Sequence, residues 1–326
     1  MTNAIRISHT GGPEVREWGA VEVGAPGAGE VLLAQAAVGL NYIDVYHRTG
    51  MYPLPLPFVP GLEGAGVVEA VGPGVDGVAV GDRVAYCGPI GGYAERRLIA
   101  AERLVALPDA ISFEVAAAAM LKGLTAHMLL RQVKRVEAGD MILVHAAAGG
   151  VGLLLCQWAA ALGATVIGTV STRAKAELAA ANGCHHPIVT SEANFVAEVV
   201  RLSGGMKLPV VYDSVGRDTF MRSMDCLAKR GMLVSFGQSS GGVEPFAPGV
   251  LAAKGSLFLT RPTLFDYIAK REELSQSANA LFAMIESGKV KVEIGQRYKL
   301  ADAATAHRDL EARRTTGSTV LTVEAR

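Results

Sequence analysis

Three glycines within four residues, Gly149, Gly150 and Gly152, follow a short apolar run at 141–144 and precede residues 153–162, a stretch of helix formers closed by Gly163. A strand that feeds a helix through such a turn aims unpaired backbone N–H groups and the positive end of the helix dipole at one point, where a pyrophosphate binds. Missing side chains allow the turn, the close approach of phosphate and tight helix–strand packing, so Gly149, Gly150, Val151 and Gly152 are the expected pyrophosphate ligands. Ala146, Ala147 and Ala148 stand where G-x-G-x-x-G would put a glycine, and taken alone the turn fits a plain βα connection equally well. The next strand, 163–170, has the spacing that completes a βαβ unit. At its end a carboxylate would take a ribose 2′-hydroxyl, whereas this chain offers Ser171, Thr172, Arg173 and Lys175, with no acid before Glu177. Hydroxyls and cations suit a 2′-phosphate, so NADPH is the expected cofactor.

The elements that must position these residues follow from the rest of the chain. At 326 residues it is long enough for two domains, and half of it is hydrophobic, which excludes disorder. A formal net charge of zero supplies no field for nucleic acid or an anionic membrane, and neither is expected as a partner. Cys87, Cys156, Cys184 and Cys226 form no C-x-x-C pair and read as reduced, mostly buried thiols of a cytoplasmic protein. No signal peptide is expected at the N-terminus. Residues 141–172 contain no Asp, Glu, Lys or Arg, and a hydropathy window would flag them as a membrane span; their glycines make them a buried βαβ unit instead.

Residues 1–100 carry short strand-like runs (29–39, 66–72, 81–86 and 93–99) between glycines, with a proline-stiffened loop at 52–61, and predict an antiparallel barrel or sandwich. Helices are expected at 112–120 and 123–136. Strands and helices then alternate through 166–236 and predict a doubly wound parallel sheet with helices on both faces. A further strand is expected at 254–260, two helices around Ile268 and Leu281, a helix at 301–313 and a last strand at 319–323. His145 reads as structural, and His185, His186 and His307 as surface residues.

Six stretches together resemble a known family: Asn41-Tyr42-Ile43-Asp44, Pro60-Gly61-Leu62-Glu63-Gly64-Ala65-Gly66, Gly81-Asp82-Arg83-Val84, residues 145–152, Tyr212-Asp213-Ser214-Val215-Gly216 and Ser235-Phe236-Gly237. The chain resembles the medium-chain dehydrogenase/reductase superfamily and, within it, the zinc-free NADPH:quinone oxidoreductases of the zeta-crystallin-like branch. The resemblance implies an α/β fold, with a GroES-like partly open β-barrel catalytic domain (1–123 and 262–326) and a Rossmann doubly wound parallel-sheet domain (124–261). It also implies a homodimer joined through residues 255–261.

Zinc-dependent relatives place a cysteine where this chain has Asn41 and a His-Glu pair where it has Leu62-Glu63. Amide and alkyl groups cannot replace a thiolate and an imidazole, so no metal is expected. Without a Lewis acid the acceptor must be electrophilic by itself, as a quinone is, and orientation supplies most of the catalysis. By resemblance, Asn41, Tyr46 and Tyr52 are the quinone-side residues; for Tyr46 a plain wall position is the competing assignment. Tyr42, Ile43 and Thr125 are expected to contact the cofactor. Ser171, Lys175 and Arg313 match 2′-phosphate contacts, with Thr190 where relatives often have tyrosine, although Lys175 alone would also suit a solvated helix face. Ser214, Phe236, Gly237 and Ser239 follow strand ends, where open sheets bind ligands. Two alternatives stand beside quinone reduction: reduction of an activated C=C bond in alkenals or enoyl thioesters, with Tyr52 as the acid, and a structural or RNA-binding zeta-crystallin-like role.

Overall fold

The computed structural model describes residues 2–324 and divides into two units, one of residues Met1–Leu124, Ile268–Glu286 and Val292–Arg326, the other of Thr125–Tyr267 and Ser287–Lys291. In the first unit a hairpin of β1 (Thr2–Ile7) and β2 (Arg16–Val21) precedes the long strand β3 (Glu30–Leu40). The first half of β3 alternates buried and half-buried residues, as a strand with one face on a core does, and its last four residues are buried. β3 lies at the centre, because it pairs with β4 (Glu63–Val71), with β6 (Arg96–Ala100) and with the final strand. With β5 (Arg83–Cys87), β7 (Leu104–Ala106), β14 (Ile294–Lys299) and β15 (Ser318–Thr322) the order is β14-β15-β3-β4-β5-β7, an open sheet with β6 added on β3. One core under it holds Val31, Leu33, Val68, Tyr86 and Leu104; another holds Ile5, Val38, Tyr93 and Leu321.

Residues 42–49 form a helix, α1 (Tyr42–Thr49), for which the sequence reading has no element. Its signals are local. Asn41 is an extended N-cap, Asp44 Oδ2 accepts the Asn41 backbone N–H at 2.9 Å, and Gly50 closes the helix at φ 79°. The two helices expected at 112–120 and 123–136 are one: α2 (Phe113–His127) continues into a π-helical turn over Met128–Val133. Gly123 does not break it; a Cβ there would stand 2.4 Å from Leu281 Cδ1, so the glycine makes room for that leucine. Thr125 therefore lies near the C-terminal end of this helix and not near the start of a second one. The run Phe113–Val133 is long and apolar enough to cross a membrane, yet most of it is buried within the protein.

The second unit alternates β8 (Met141–Val144), α3 (Gly150–Ala161), β9 (Thr165–Val170), α4 (Arg173–Ala181), β10 (His186–Val189), α5 (Phe195–Leu202), β11 (Leu208–Asp213), α6 (Phe220–Asp225), β12 (Leu227–Ser235) and β13 (Phe258–Thr260). All six strands are parallel in the order β10-β9-β8-β11-β12-β13, and the direction of winding reverses between β8 and β11. The uncharged stretch 141–172 is the β8–α3–β9 unit, with Leu153, Leu154, Leu155, Cys156 and Trp158 of α3 buried. Three boundaries differ from expectation. Lys254 caps a short helix, Gly249–Ala253, so the following strand starts only at Phe258. β12 reaches back to Leu227, and β14 has no counterpart among the expected strands, because six residues of mixed polarity leave no strong period.

Candidate functional site

Parallel strands bring their carboxyl ends to one edge of the second unit's sheet, and most of the expected cofactor residues stand on that edge. After β8 the chain turns through Ala146 at φ 53°, Gly149 takes the N-cap position of α3, and the N–H groups of Gly150, Val151 and Gly152 form its first turn. A Cβ on Gly152 would lie 2.2 Å from Ala146 O, so the turn closes only with glycine there. After β9, Ser171 is exposed, and Thr172 Oγ1 caps α4 by accepting the Lys175 backbone N–H at 3.3 Å. After β10, Thr190 Oγ1 donates to Val170 O at 3.2 Å, tying two strand ends together. After β11 and β12, Ser214 O accepts the Ser239 N–H at 3.2 Å, and a Cβ on Gly237 would sit 2.7 Å from that same oxygen, so Ser214, Gly237 and Ser239 form one packed turn with Phe236 beside it. Arg173, on the same turn as Lys175, pairs with Glu192 at 2.9 Å. Arg313, exposed at φ 58°, belongs to the first unit, as do Tyr42 and Ile43.

Behind the edge runs a buried chain of polar groups that the sequence reading does not contain. Asp213 is fully buried at the end of β11; its Oδ1 accepts the N–H groups of Val215 at 2.8 Å and Gly216 at 3.0 Å and the Thr219 hydroxyl at 2.9 Å. Ser223 Oγ lies 3.0 Å from Asp213 Oδ2 and 2.9 Å from His145 Nε2, while His145 Nδ1 lies 2.7 Å from Thr169 Oγ1. Burial pushes the His145 pKa down, which favours the neutral ring that such a relay needs. The strand ends of β9, β8 and β11 are thereby joined beneath the glycine turn. A buried His within a strand end is the available signal, but its partners are 24 and 78 residues away.

In the first unit, α1 carries the expected quinone-side residues. Asn41 is buried at its N-cap, Tyr46 is 7% exposed inside the helix, and Tyr52 follows half-buried, its ring centroid 5.1 Å from that of Tyr46. Burial of the Tyr46 side chain argues against a ring lying along the solvent-facing wall. Asn41 Nδ2 donates to Glu63 Oε1 at 2.6 Å, and the same oxygen accepts from Lys122 Nζ at 2.8 Å.

His307, expected on the surface, is instead fully buried, because it packs edge-on against Tyr93 within the first unit. The Tyr93 hydroxyl lies 3.2 Å from His307 Nε2 and donates to Asp44 Oδ2 at 3.0 Å. Burial raises the Asp44 carboxyl from 3.8 to about 7, against hydrogen bonds from Asn41 and Tyr93 and with Glu63 and Lys122 acting from outside the pair. Burial, helped by Arg16 and Arg48, drives His307 well below its ordinary 6.5. The two shifts oppose each other in pH. A carboxyl whose folded pKa is raised contributes stability that is complete below 3.8 and lost as pH rises through about 7. A depressed histidine contributes stability present above 6.5 and lost as pH falls. Asp44→Asn should remove the first effect only, so its melting temperature at pH 8 relative to pH 5 exceeds the wild-type difference by about 5 °C. Parallel thermal-melt profiles for the two proteins would show that Asp44 does not titrate.

The strand-end edge fits a dinucleotide: a helix N-terminus with a glycine cradle that a Cβ would fill, and hydroxyls with a cation at the end of β9. The Asn41 corner does not fit zinc. Asn41 and Leu62 offer no thiolate or imidazole, and Glu63 is already bonded to an ammonium. Cys87, paired with Glu63 across β4 and β5, is fully buried, and burial holds its thiol well above the usual range. Among the described residues no three His, Cys, Asp or Glu gather into a metal-holding group.

The chain matches the alcohol dehydrogenase GroES-like domain over residues 27–109 and the zinc-binding dehydrogenase family over residues 150–282. It is 54% identical over 323 residues to a quinone oxidoreductase of Pseudomonas aeruginosa, covering 98% of this chain and 99% of that one. The crystal structure of Escherichia coli quinone oxidoreductase complexed with NADPH superposes with a TM-score of 0.97 at 47% identity, covering 98% of this chain and 100% of the other. A 2-haloacrylate reductase of a Burkholderia species is 45% identical over the full length of both chains.

Proposed function

The chain belongs to the quinone oxidoreductases of the medium-chain dehydrogenase/reductase superfamily, and on that premise we propose that it reduces a quinone by direct, metal-free hydride transfer from NADPH. The observation that carries this is the strand-end edge, where the glycine cradle of α3 and the Ser171–Lys175 turn offer sites for a pyrophosphate and a 2′-phosphate. NADPH supplies the hydride from its nicotinamide ring. Gly149, Gly150, Val151 and Gly152 hold the pyrophosphate by backbone N–H groups, and Ser171 and Lys175 hold the 2′-phosphate, aided by Thr190 and Arg313. Tyr42, Ile43, Thr125, Ser214, Phe236, Gly237 and Ser239 complete the cofactor contacts. Asn41, Tyr46 and Tyr52 position the quinone, and a hydrogen bond from the Asn41 amide to a quinone carbonyl stabilises the charge that the ring gains. The hydroquinone anion is delocalised and takes its proton readily, so no strong Lewis acid is required. The functional domains are residues 1–123 with 262–326 for the quinone and 124–261 for NADPH.

NADPH oxidation followed with a benzoquinone, on protein whose zinc content has been measured, tests this. Turnover with less than about a tenth of a zinc per chain is the expected result; stoichiometric zinc, or activity lost to a chelator, overturns it. Lys175→Ala should raise KM for NADPH about tenfold and for NADH less than about twofold, since one charge-assisted contact is lost and the α4 cap uses only the Lys175 backbone. Equal changes for both cofactors would remove the phosphate assignment.

The relative that reduces 2-haloacrylate supports a second reading, reduction of an activated C=C bond. The ratio of kcat/KM for a quinone and for 2-chloroacrylate separates the two. We further propose a cytoplasmic enzyme with neither nucleic acid nor membrane as partner, and a homodimer joined through residues 255–261. β13 is an edge strand and its Phe258 is 57% exposed, which favours pairing with a second copy. Sedimentation at the monomer mass would overturn the dimer.

A further inference from the structure

Glu63 is fully buried on β4, and three donors converge on its carboxylate: Asn41 Nδ2 at 2.6 Å and Lys122 Nζ at 2.8 Å on Oε1, and the Leu121 N–H at 2.6 Å on Oε2. Room for it is made by Gly39 on the adjacent strand β3. A Cβ there would stand 2.2 Å from Glu63 Oε1 and 2.2 Å from Ala117 O. Lys122 is 5% exposed and Asn41 6%, so the whole cluster is withdrawn from water. A carboxamide has two ends of nearly the same shape and opposite polarity, and its neighbours decide which way it points. An ion-paired carboxylate only accepts hydrogen bonds, so it takes the Asn41 NH2 and repels the carbonyl oxygen. With that end pinned, the second N–H and the carbonyl of Asn41 have set directions.

We propose that Lys122, acting through Glu63, is a positioning residue for Asn41: the buried ion pair locks the carboxamide against a flip, so that the quinone meets an amide of one polarity. The proposal rests on the assignment of Asn41 to the quinone. Removing Lys122 alone leaves a buried carboxylate without its cation and endangers the fold. The informative variant is therefore Glu63→Gln/Lys122→Met, which deletes both charges at once. In the carboxamide introduced at position 63 the Leu121 N–H holds the oxygen, which turns the NH2 toward Asn41, so the wild-type amide orientation is no longer favoured while the packing is largely kept.

The double variant is expected to melt within a few degrees of wild type and to bind NADPH with a Kd within about twofold, while kcat/KM for the quinone falls about tenfold, as for one misdirected hydrogen bond. The chain has five asparagines, so [15N]asparagine labelling gives five side-chain NH2 pairs. The Asn41 pair, identified by its disappearance in Asn41→Ser, should shift or broaden in the double variant. Unchanged quinone kcat/KM in the double variant, or an unmoved Asn41 resonance, overturns the proposal. Failure of the wild-type protein to oxidise NADPH with any quinone would overturn the assigned reaction instead, and the resonance would still test the lock.

Discussion

Gly152→Ala lowers kcat/KM for NADPH by about a hundredfold. The added Cβ would lie 2.2 Å from Ala146 O and 2.9 Å from both Ala147 C and Ala147 Cα. All three neighbours are backbone, so no side chain can rotate away, and relief requires the first turn of α3 to retreat by about 1 Å. The turn has little slack, because Ala146 already sits at φ 53°, a conformation that L-residues adopt at a cost. A shift of that size at the pyrophosphate cradle misplaces the whole cofactor. Gly149→Ala is the natural control. Its Cβ would meet Ala146 O at 3.2 Å and Gly149 has φ −82°, so the fold should absorb it with a shift of a few tenths of an ångström. NADPH titration by fluorescence, with kcat/KM measured alongside, reads both variants. Wild-type affinity in Gly152→Ala would mean that the start of α3 does not bind the dinucleotide.

The second large effect is on stability. Asp213→Ala should cost about 3–5 kcal/mol and lower the melting temperature by roughly 10 °C, because it strips a buried acceptor from several donors at once. The N–H groups of Val215 and Gly216 and the hydroxyls of Thr219 and Ser223 all point at that carboxylate. Asp213→Asn keeps Oδ1 for the two backbone N–H groups and should lose less than half as much. Ser223→Ala removes one donor to Asp213 together with the link to His145, leaves the two backbone N–H groups and Thr219 in place, and tests whether the relay joins β8 to β11. Calorimetry decides; an Asp213→Ala protein that melts with wild type would mean that these donors find other partners.

Much of the cofactor edge is legible without coordinates because its physics is local. A glycine turn between a strand and a helix, and the residues just past the next strand, act through groups a few positions apart. The signals of α1 are equally local: Asn41 and Asp44 at capping distance and Gly50 at the far end are its signature, masked by a tyrosine-rich sequence that does not favour helix. The division of α2 into two helices fails for a different reason. A glycine reads as a breaker when its neighbours are unknown, and as a space for Leu281 once they are seen.

The chain by itself determined the parallel sheet, the glycine turn between β8 and α3 and the amide and alkyl groups that stand at Asn41 and Leu62, since each depends on residue types at short spacing. Only the tertiary structure decided that His307 is buried against Tyr93, 214 residues away, that Asp213 reaches His145 through Ser223, and that Lys122 meets Glu63 across 59 residues. Periodicity along a chain carries information over a few helical turns or one strand, whereas the identity of a buried charge's partner depends on which distant strands and helices the whole core brings side by side.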